Sequence, residues 1–409
     1  MKTATPTMKT RLRPSRSAVR PPSSRKPPKV IAYAVITHCR LLSETLSAVL
    51  IDGSATLTIE TSRIVMKNAA QTSPSAFQRR GSGAAVTALA NEGVEAPIPP
   101  LVSVTMGKTV VLSGGVGGAR FLSGLAEVVP PAELTVIGNV GDDLEVLGLH
   151  VSPDLDSVLY GLAGVGDDER GWGRADETWN ALEEAERLGG ESWFRLGDRD
   201  IGLHLVRTHA LALGQPLSAV TARLTSAFGV RTAILPATDD RLRTRIETPA
   251  GEFSLQEWFV GRQHRDEVDA VRFEGAASAR PAPGVLQALE DADFLVIAPS
   301  NPHISIWPIL AVGEIRAALE RRRVPCAAVS PLIGGRAVKG PADRMLARLA
   351  GGTTPAHVAS CYKGLIDVLV VDEADAGSVD GLAVRTVVTR TLMSDAAATR
   401  RLAEAALNA

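Results

Sequence analysis

The sequence predicts an α/β protein with a Rossmann-like, mostly parallel sheet and a helical insertion. From Met106 onward, short apolar runs are each followed by a glycine-rich or polar turn and then by a segment of helical periodicity, as in β-α-β units. These runs are almost continuous in Val, Ile and Leu, which is typical of parallel strands buried on both faces. From about residue 155 to 225 the periodicity is mainly helical, which predicts an insertion that caps the sheet. The predicted strands span residues 109–112, 134–137, 294–298, 327–330 and 368–371.

The first 105 residues have a different composition. They contain Pro-Ser-Arg clusters and no sustained periodicity, which predicts a disordered leader. Met106 directly precedes the first strand, so one interpretation is that translation begins there and that the leader is spurious. The other is a transit peptide, because the leader is rich in Arg and Ser and poor in acids. We therefore divide the chain into a leader, residues 1–105, and one domain, residues 106–409.

Charge and cysteine content restrict the classes of partner. Before Met106 there are 14 Lys and Arg against 5 Asp and Glu, a net charge of +9, which leaves 30 against 40, a net charge of −10, for the rest. An acidic body argues against nucleic acid as a partner.

The three cysteines have no metal-ligand or disulfide spacing and no apolar run reaches 18 residues, so we expect a cytoplasmic protein without a membrane span. A homodimer is the expected assembly, because dimers are the commonest.

A glycine-rich turn follows the first predicted strand. Gly114, Gly115, Gly117 and Gly118 lie between this strand and an amphipathic helix predicted at 119–129. Glycines allow backbone N–H groups to approach a phosphate, which a helix N-terminus also attracts. The turn is neither a Walker A loop nor a complete GxGxxG fingerprint. Two interpretations remain open: an anion cradle, or a tight turn that packs the helix on the sheet.

Two polar loops follow the second and third predicted strands. Asn139 and Asp142 lie in the first loop, and Ser300 and Asn301 lie between two prolines in the other. In open α/β sheets, ligands bind outside the carboxyl ends of strands. Both loops are therefore candidates for nucleotide binding, although Asn, Asp, Gly and Pro are also common in ordinary turns.

Two carboxylates, Asp154 and Asp156, follow Pro153 at the start of another predicted helix. Asp156 is a candidate Mg²⁺ ligand, because Mg²⁺ prefers oxygen ligands. The alternative is that one of the pair caps the helix. Arg195 precedes a charged segment that is either a helix entrance or an anion clamp, since its planar guanidinium suits phosphate.

Taken together, these segments resemble the 2-phospho-L-lactate transferase family of coenzyme F420 biosynthesis, in its actinobacterial phosphoenolpyruvate transferase form. The similarity covers residues 106–409, and the motifs occur in the order of the family. The motifs are Ser113-Gly114-Gly115-Val116-Gly117-Gly118, Asn139-Val140-Gly141-Asp142-Asp143, Pro153-Asp154-Leu155-Asp156, Gly171-Trp172-Gly173, Leu196-Gly197-Asp198-Arg199-Asp200, Pro299-Ser300-Asn301-Pro302, Val329-Ser330-Pro331-Leu332-Ile333-Gly334-Gly335 and Val371-Asp372-Glu373.

The resemblance implies a Mg²⁺-dependent enzyme with small-molecule substrates. It would move a phospho-three-carbon-acid group, phosphoenolpyruvyl or 2-phospholactyl, from a guanosine diphosphate conjugate to 7,8-didemethyl-8-hydroxy-5-deazariboflavin, and it would release GMP. Asp156 and Arg195 would bind the deazaflavin, and Asp156 would also be the metal ligand and the catalytic residue. The glycine loop, Asn139, Asp142, Ser300 and Asn301 would bind the nucleotide and its phosphates.

Two alternatives remain open. A nucleotide-sugar-binding regulatory protein can have the same core without turnover, although Asp156, Arg195 and the residues after it favour the transferase. An NAD-dependent oxidoreductase is disfavoured because Gly138 and Asn139, not an acidic residue, end the second strand. We expect His204 and His303 to be ordinary polar residues and Trp307 to pack.

Overall fold

The structure is a computed structural model that describes residues 107–409. The predicted disorder of residues 1–105 and the position of Cys39 lie outside the described residues.

The centre of the fold is a seven-stranded parallel sheet, which confirms the predicted fold class. Its order is β14-β13-β10-β9-β1-β2-β5, so the order reverses direction between β1 and β9. Parallel strands place all their carboxyl ends at one edge, and the loops at the reversal point diverge to leave a crevice there. The strands are β1 (Thr109–Ser113), β2 (Leu134–Gly138), β5 (Ala233–Pro236), β9 (Phe294–Ile297), β10 (Cys326–Val329), β13 (Val368–Asp372) and β14 (Arg385–Thr389).

Five strands agree with the predicted positions to within a residue at each end, and the two edge strands were missed. Every residue of β1 and β13 is buried, which explains their continuous apolar sequences. The edge strands β5 and β14 are half-buried, and β14 contains Arg385 and two threonines. A strand that has one neighbour and partial solvent exposure lacks the strong apolar signal on which the prediction depended.

The glycine-rich turn leads into helix α1 (Gly115–Leu125), which begins earlier than predicted. Its buried face carries Phe121, Leu122 and Leu125 and packs against the helix at Pro153–Ala163 and the C-terminal helix at Ala396–Leu407. Gly117 and Gly118 are therefore residues of the first helical turn. The predicted continuation to Val129 is a hydrogen-bonded turn.

The chain between β2 and β5 forms the predicted helical insertion. It begins with the antiparallel strands β3 (Leu144–Val146) and β4 (Leu149–Val151). Its helices are α2 (Pro153–Ala163), α3 (Asn180–Arg187), α4 (Asp198–Ala212) and α5 (Leu217–Ala227). A second sheet of three antiparallel strands follows β5 and consists of β6 (Arg243–Thr248), β7 (Gly251–Ser254) and β8 (Ala270–Glu274).

The remaining elements connect the strands of the main sheet. They are the hairpin strands β11 (Leu332–Ile333) and β12 (Arg336–Ala337) and the helices α6 (Val285–Asp291), α7 (Trp307–Ala311), α8 (Gly313–Arg321), α9 (Ala342–Leu349), α10 (Pro355–Cys361) and α11 (Ala396–Leu407). Short π-helical segments occupy Glu257–Gly261 and Pro302–Ile306, and a 3₁₀ segment occupies Glu373–Ser378. Within residues 107–409, no helix has the length and apolar character that a membrane span requires.

Candidate functional site

The glycine loop, which contains Gly114, Gly115, Gly117 and Gly118, joins β1 to α1 at the carboxyl edge. Gly115 has a φ of 69°, in the left-handed region that favours glycine. A β-carbon on Gly117 would lie 2.8 Å from the carbonyl oxygen of Pro299, and one on Gly118 would collide with a serine hydroxyl. Gly117 and Gly118 thus allow close packing, which supports the tight-turn interpretation for these two. Gly114 and Gly115 form the N-terminus of the helix, where phosphate binding stays a prediction.

The Asn139 side chain connects three loops at this edge. Its amide nitrogen donates to the Asp154 carboxylate at 2.8 Å and to the carbonyl oxygen of Ile304 at 3.2 Å. Its amide oxygen accepts a hydrogen bond from the Gly141 N–H at 2.8 Å. The residue is completely buried. Asn139 therefore holds the loops after β2 and β9 and the start of α2 together.

The loop after β9 closes over the glycine loop. The Ser300 hydroxyl donates to the Gly114 carbonyl oxygen at 2.7 Å. The Asn301 side-chain oxygen accepts from the backbone N–H of His303 at 3.0 Å, and its amide nitrogen lies 3.3 Å from the sulfur of Met345 in α9. The structure thus brings Gly114, Asn139 and Ser300 together at the point where the strand order reverses.

Three buried carboxylates, Asp142, Asp143 and Asp154, form what we call the acidic cluster. Burial raises the pKa of Asp142 well above its ordinary value, and the charges of Asp154 and Asp143 raise it further. Burial also raises the pKa of Asp154 to about 6, although hydrogen bonds from Asn139 and Gly115 oppose this change. One oxygen each of Asp142 and Asp143 is buried without a hydrogen-bond partner. The His150 ring nitrogen lies 3.0 Å from the Asp143 carboxylate, and no Lys or Arg of residues 107–409 forms an ion pair with any of the three carboxylates.

The chemistry of the acidic cluster is compatible with a Mg²⁺ ion that also has waters and substrate phosphates as ligands. No group of three or more His, Cys, Asp and Glu side chains in residues 107–409 is arranged to hold a metal by itself. However, Mg²⁺ usually takes one or two carboxylates, several waters and the phosphates of a substrate. Asp142 and Asp154 could supply these two carboxylates. Their negative charges repel each other, and one oxygen of Asp142 is buried without a hydrogen-bond partner.

Asp156 lies in a different environment from Asp154, although both are in the first turn of α2. Both of its carboxylate oxygens bind the guanidinium of Arg207, with one separation of 2.9 Å. The ring of His204 is 3.9 Å from the same carboxylate, and burial lowers the pKa of this histidine to about 4. The structure therefore does not bring Asp156 to Asn139, and a metal there would compete with a bidentate guanidinium.

Arg207 is the residue of this region that sequence reasoning missed. It is 1% exposed, and it lies on the buried stripe of α4 with Leu203 and Ala210. Burial disfavours its charge, but the carboxylate of Asp156 outweighs this effect and keeps the pKa of Arg207 above its usual value. Its place on the apolar face of an amphipathic helix could have indicated a buried ion pair, because a buried charge requires a partner.

Arg195 is exposed and belongs to a surface of arginine and indole side chains. Its guanidinium carbon lies 4.6 Å from the ring centroid of Trp179. Trp172 makes an edge contact with Trp179 at 6.3 Å, and Arg170 lies over both rings. We call these four residues the indole–arginine cluster. Trp172 is 41% exposed. Among residues 107–409, no hydrogen bond or ion pair links the cluster to Asp156, which is bound by Arg207.

His303 and Trp307 pack against each other behind the loop after β9. Their rings make an edge contact at 4.6 Å, and the indole N–H of Trp307 donates to the carbonyl oxygen of Cys361 at 3.2 Å. Both ring nitrogens of His303 are buried without a partner, and burial lowers its pKa to about 4. Trp307 therefore packs, as expected, and His303 is a buried neutral imidazole.

The fold and its polar edge define an α/β protein of the Rossmann-like class, in which nucleotides bind where the strand order reverses. The chain belongs to the family described as 2-phospho-L-lactate transferase CofD, which it matches over residues 109–396. This match confirms the resemblance seen in the sequence.

Its relatives include proteins named phosphoenolpyruvate transferase. The protein of Streptomyces griseus is 45% identical over 309 residues, which cover 73% of this chain and 97% of the relative. That of Streptomyces coelicolor is 44% identical with the same coverage. The protein of Mycobacterium tuberculosis is 40% identical over 323 residues, again 73% and 97% of the two chains.

Two crystal structures of a Bacillus halodurans protein of the UPF0052 family have a similar fold. They align with TM-scores of 0.51 and 0.52 and cover 74% of this chain and 99% of the Bacillus protein. The sequence identities are 17% and 19%, so the likeness concerns the fold alone.

Proposed function

We propose that the protein transfers a phospho-three-carbon-acid group from a guanosine diphosphate conjugate to 7,8-didemethyl-8-hydroxy-5-deazariboflavin, as a step of coenzyme F420 biosynthesis. One observation carries the proposal: the acidic cluster lies beside the glycine loop at the carboxyl edge of the sheet. Family membership and the names of the relatives support the class of reaction.

The donor would bind with its diphosphate at the N-terminus of α1. The backbone N–H groups of a first helical turn have no partners within the helix, and the helix dipole favours an anion there. Asp142 and Asp154 would hold a Mg²⁺ ion next to that position. When bound, the ion would neutralise charge on the phosphate oxygens. In this proposal Asn139 and Ser300 fix the loops that form the site, and Asp142 contributes to phosphate binding through the metal.

The acceptor would bind on the side of the insertion. A deazaflavin is flat and aromatic, and the exposed ring of Trp172 offers a surface on which such a ring can stack. Arg195 would contact the same ligand, as predicted from the sequence. Asp156, oriented by Arg207, would accept a hydrogen bond from the ribityl chain and orient its terminal hydroxyl.

The reaction follows from this placement. The terminal hydroxyl oxygen of the acceptor would form a bond to the phosphorus that carries the three-carbon acid. The bond from that phosphorus to the bridging oxygen would break, GMP would leave, and the hydroxyl proton would pass to solvent. Phosphoryl transfer depends mainly on position and on the stabilisation of charge, and the polar edge of this sheet provides for both.

Phosphoenolpyruvate is the acid that we favour, because relatives more than 40% identical are named phosphoenolpyruvate transferases. The test mixes the purified protein with Mg²⁺, the deazaflavin alcohol and equal amounts of the phosphoenolpyruvyl, 2-phospholactyl and 3-phosphoglyceryl conjugates. Mass spectrometry then measures GMP and each coupled product. We expect GMP in proportion to the phosphoenolpyruvyl product, and the absence of GMP with all three donors would refute the transferase proposal.

A further inference from the structure

Two loops from distant parts of the sheet meet at Lys339. This residue follows β12, in the connection between β10 and α9, and its ammonium group lies against Gly171 of the insertion, where a β-carbon would collide with it. Gly171 has a φ of 74° and directly precedes Trp172 of the indole–arginine cluster. The contact therefore joins the segment after β10 to the segment after α2.

The order of the strands places this contact across the site. β10 and β2, from which the two segments depart, are separated in the sheet by β9 and β1. The carboxyl ends of β9 and β1 carry Ser300 and the glycine loop. A second contact agrees with this placement, because Met345 of α9, six residues after Lys339, lies against Asn301. Lys339 thus spans the strand ends between which the donor would bind.

Within residues 107–409, the ammonium group of Lys339 forms no ion pair. No carboxylate oxygen of the described residues lies within 4.0 Å of it, whereas Lys108 is paired with Asp291. The ammonium group lies against Gly171, which can offer only backbone. Because the Lys339 side chain is exposed, its ammonium group is accessible to an anion that binds near Gly171. Such an anion would form an ion pair with Lys339.

We propose that Lys339 binds the distal phosphate of the donor, the phosphate that carries the three-carbon acid. The inference rests on the proposed function and adds a residue from the other side of the sheet. The ammonium group of a lysine is a compact positive charge with three N–H donors, and it can therefore bind a phosphate from several directions. The N-terminus of α1 would then bind the donor on one side and Lys339 would bind it on the other.

The experiment measures the binding of GDP and GMP by calorimetry in the presence of Mg²⁺. The variants are Lys339→Ala, Lys339→Arg and the control Lys363→Ala. Lys363 is also exposed, but it lies after α10, at the amino end of β13 and thus at the opposite edge of the sheet. We expect Lys339→Ala to raise the Kd of GDP by about 10-fold, as for the loss of one charge-assisted hydrogen bond. The Kd of GMP should change less than about 2-fold, because GMP lacks the distal phosphate.

The other outcomes separate the inference from the proposed function. Lys339→Arg should restore most of the affinity for GDP, and Lys363→Ala should leave it unchanged. Equal GDP affinity in wild type and Lys339→Ala would overturn the inference, and so would an equal loss of affinity for GDP and GMP. If wild type bound neither nucleotide, the proposed function itself would fail. Because Lys339 is exposed, the melting temperature of each variant should equal that of wild type.

Discussion

Asp154 and Asp156 are two residues apart on the same helix, and their surroundings differ in the sign of the nearest charge. Asp154 faces two other carboxylates and the amide of Asn139. Asp156 is neutralised by a buried guanidinium, that of Arg207. A helix turns by about 200° over two residues, so two acids that are two positions apart lie on nearly opposite faces of the helix. The comparison teaches that charge partners can differ completely over two residues: no Lys or Arg of the described residues pairs with the acidic cluster, whereas Asp156 has a buried guanidinium of its own.

The largest effect should come from breaking the buried pair. Arg207→Met leaves the Asp156 carboxylate buried and unpaired, and we expect it to lower the free energy of unfolding by about 3–5 kcal/mol. Urea denaturation measures this change. The exposed Arg223→Met is the matched control and should alter stability by less than about 0.5 kcal/mol. The double variant Asp156→Leu/Arg207→Met should recover much of the loss, and an additive double variant would show that the pair does not act as one unit.

Removal of one charge from the acidic cluster should act on turnover instead of folding. Asp154→Asn keeps the acceptor of the hydrogen bond from Asn139 and removes the carboxylate that we assign to Mg²⁺. We expect kcat/KM to fall about 100-fold or more, with unchanged or increased stability, because a buried repulsion disappears. The exposed Asp380→Asn serves as control. Near-wild-type turnover of Asp154→Asn with the same Mg²⁺ dependence would exclude the acidic cluster as the metal site.

The two regions should respond to pH with opposite sign. The pKa of Asp154 is raised in the folded protein from 3.8 to about 6, so this group stabilises the fold as pH falls through 6. The pKa of His204, beside Asp156, is lowered from 6.5 to about 4, so the stability that depends on its neutral form is present above 6.5 and is lost as pH falls towards 4. Removal of each group should therefore change the free energy of unfolding in the same pH range.

Unfolding free energies of metal-free protein between pH 4.5 and 7.5 test this expectation. Relative to wild type, His204→Gln should gain about 1–3 kcal/mol on acidification, and Asp154→Asn should lose a similar amount. Parallel curves for wild type and both variants would contradict the assigned environments of these two groups.

The smallest effect should come from the indole–arginine cluster, in which Arg195 and Trp172 are exposed. Arg195→Ala and Trp172→Ala should each raise the KM for the deazaflavin by about 3- to 10-fold, because a stacking or cation–π contact contributes about 1 kcal/mol. The affinity for GDP should not change. Trp193→Ala is the control, because Trp193 packs against Phe194 and lies outside the cluster. A larger effect on GDP than on the deazaflavin would place the donor, not the acceptor, at this surface.

Much of the fold was predictable from the sequence because a buried parallel strand has a strong local signal. Val110, Val111 and Leu112 could be placed in a strand by composition alone. The site was only partly predictable. The glycine loop and the loops with Asn139 and Ser300 could be expected to meet, since they follow strands with a common carboxyl edge. The partner of Asp156 could not be predicted, because Arg207 is 51 residues away on another helix.

The sequence by itself determined the family, the positions of the five inner strands of the main sheet, and the edge of that sheet that carries the polar loops. These properties depend on apolar periodicity and on motifs that are continuous along the chain. Only the tertiary structure decided which of two neighbouring acids is neutralised, that Asp142 joins Asp154, and that Lys339 reaches Gly171. The reason is physical: the charge state and partners of a buried side chain depend on groups brought near by packing, and distance along the chain does not contain that information.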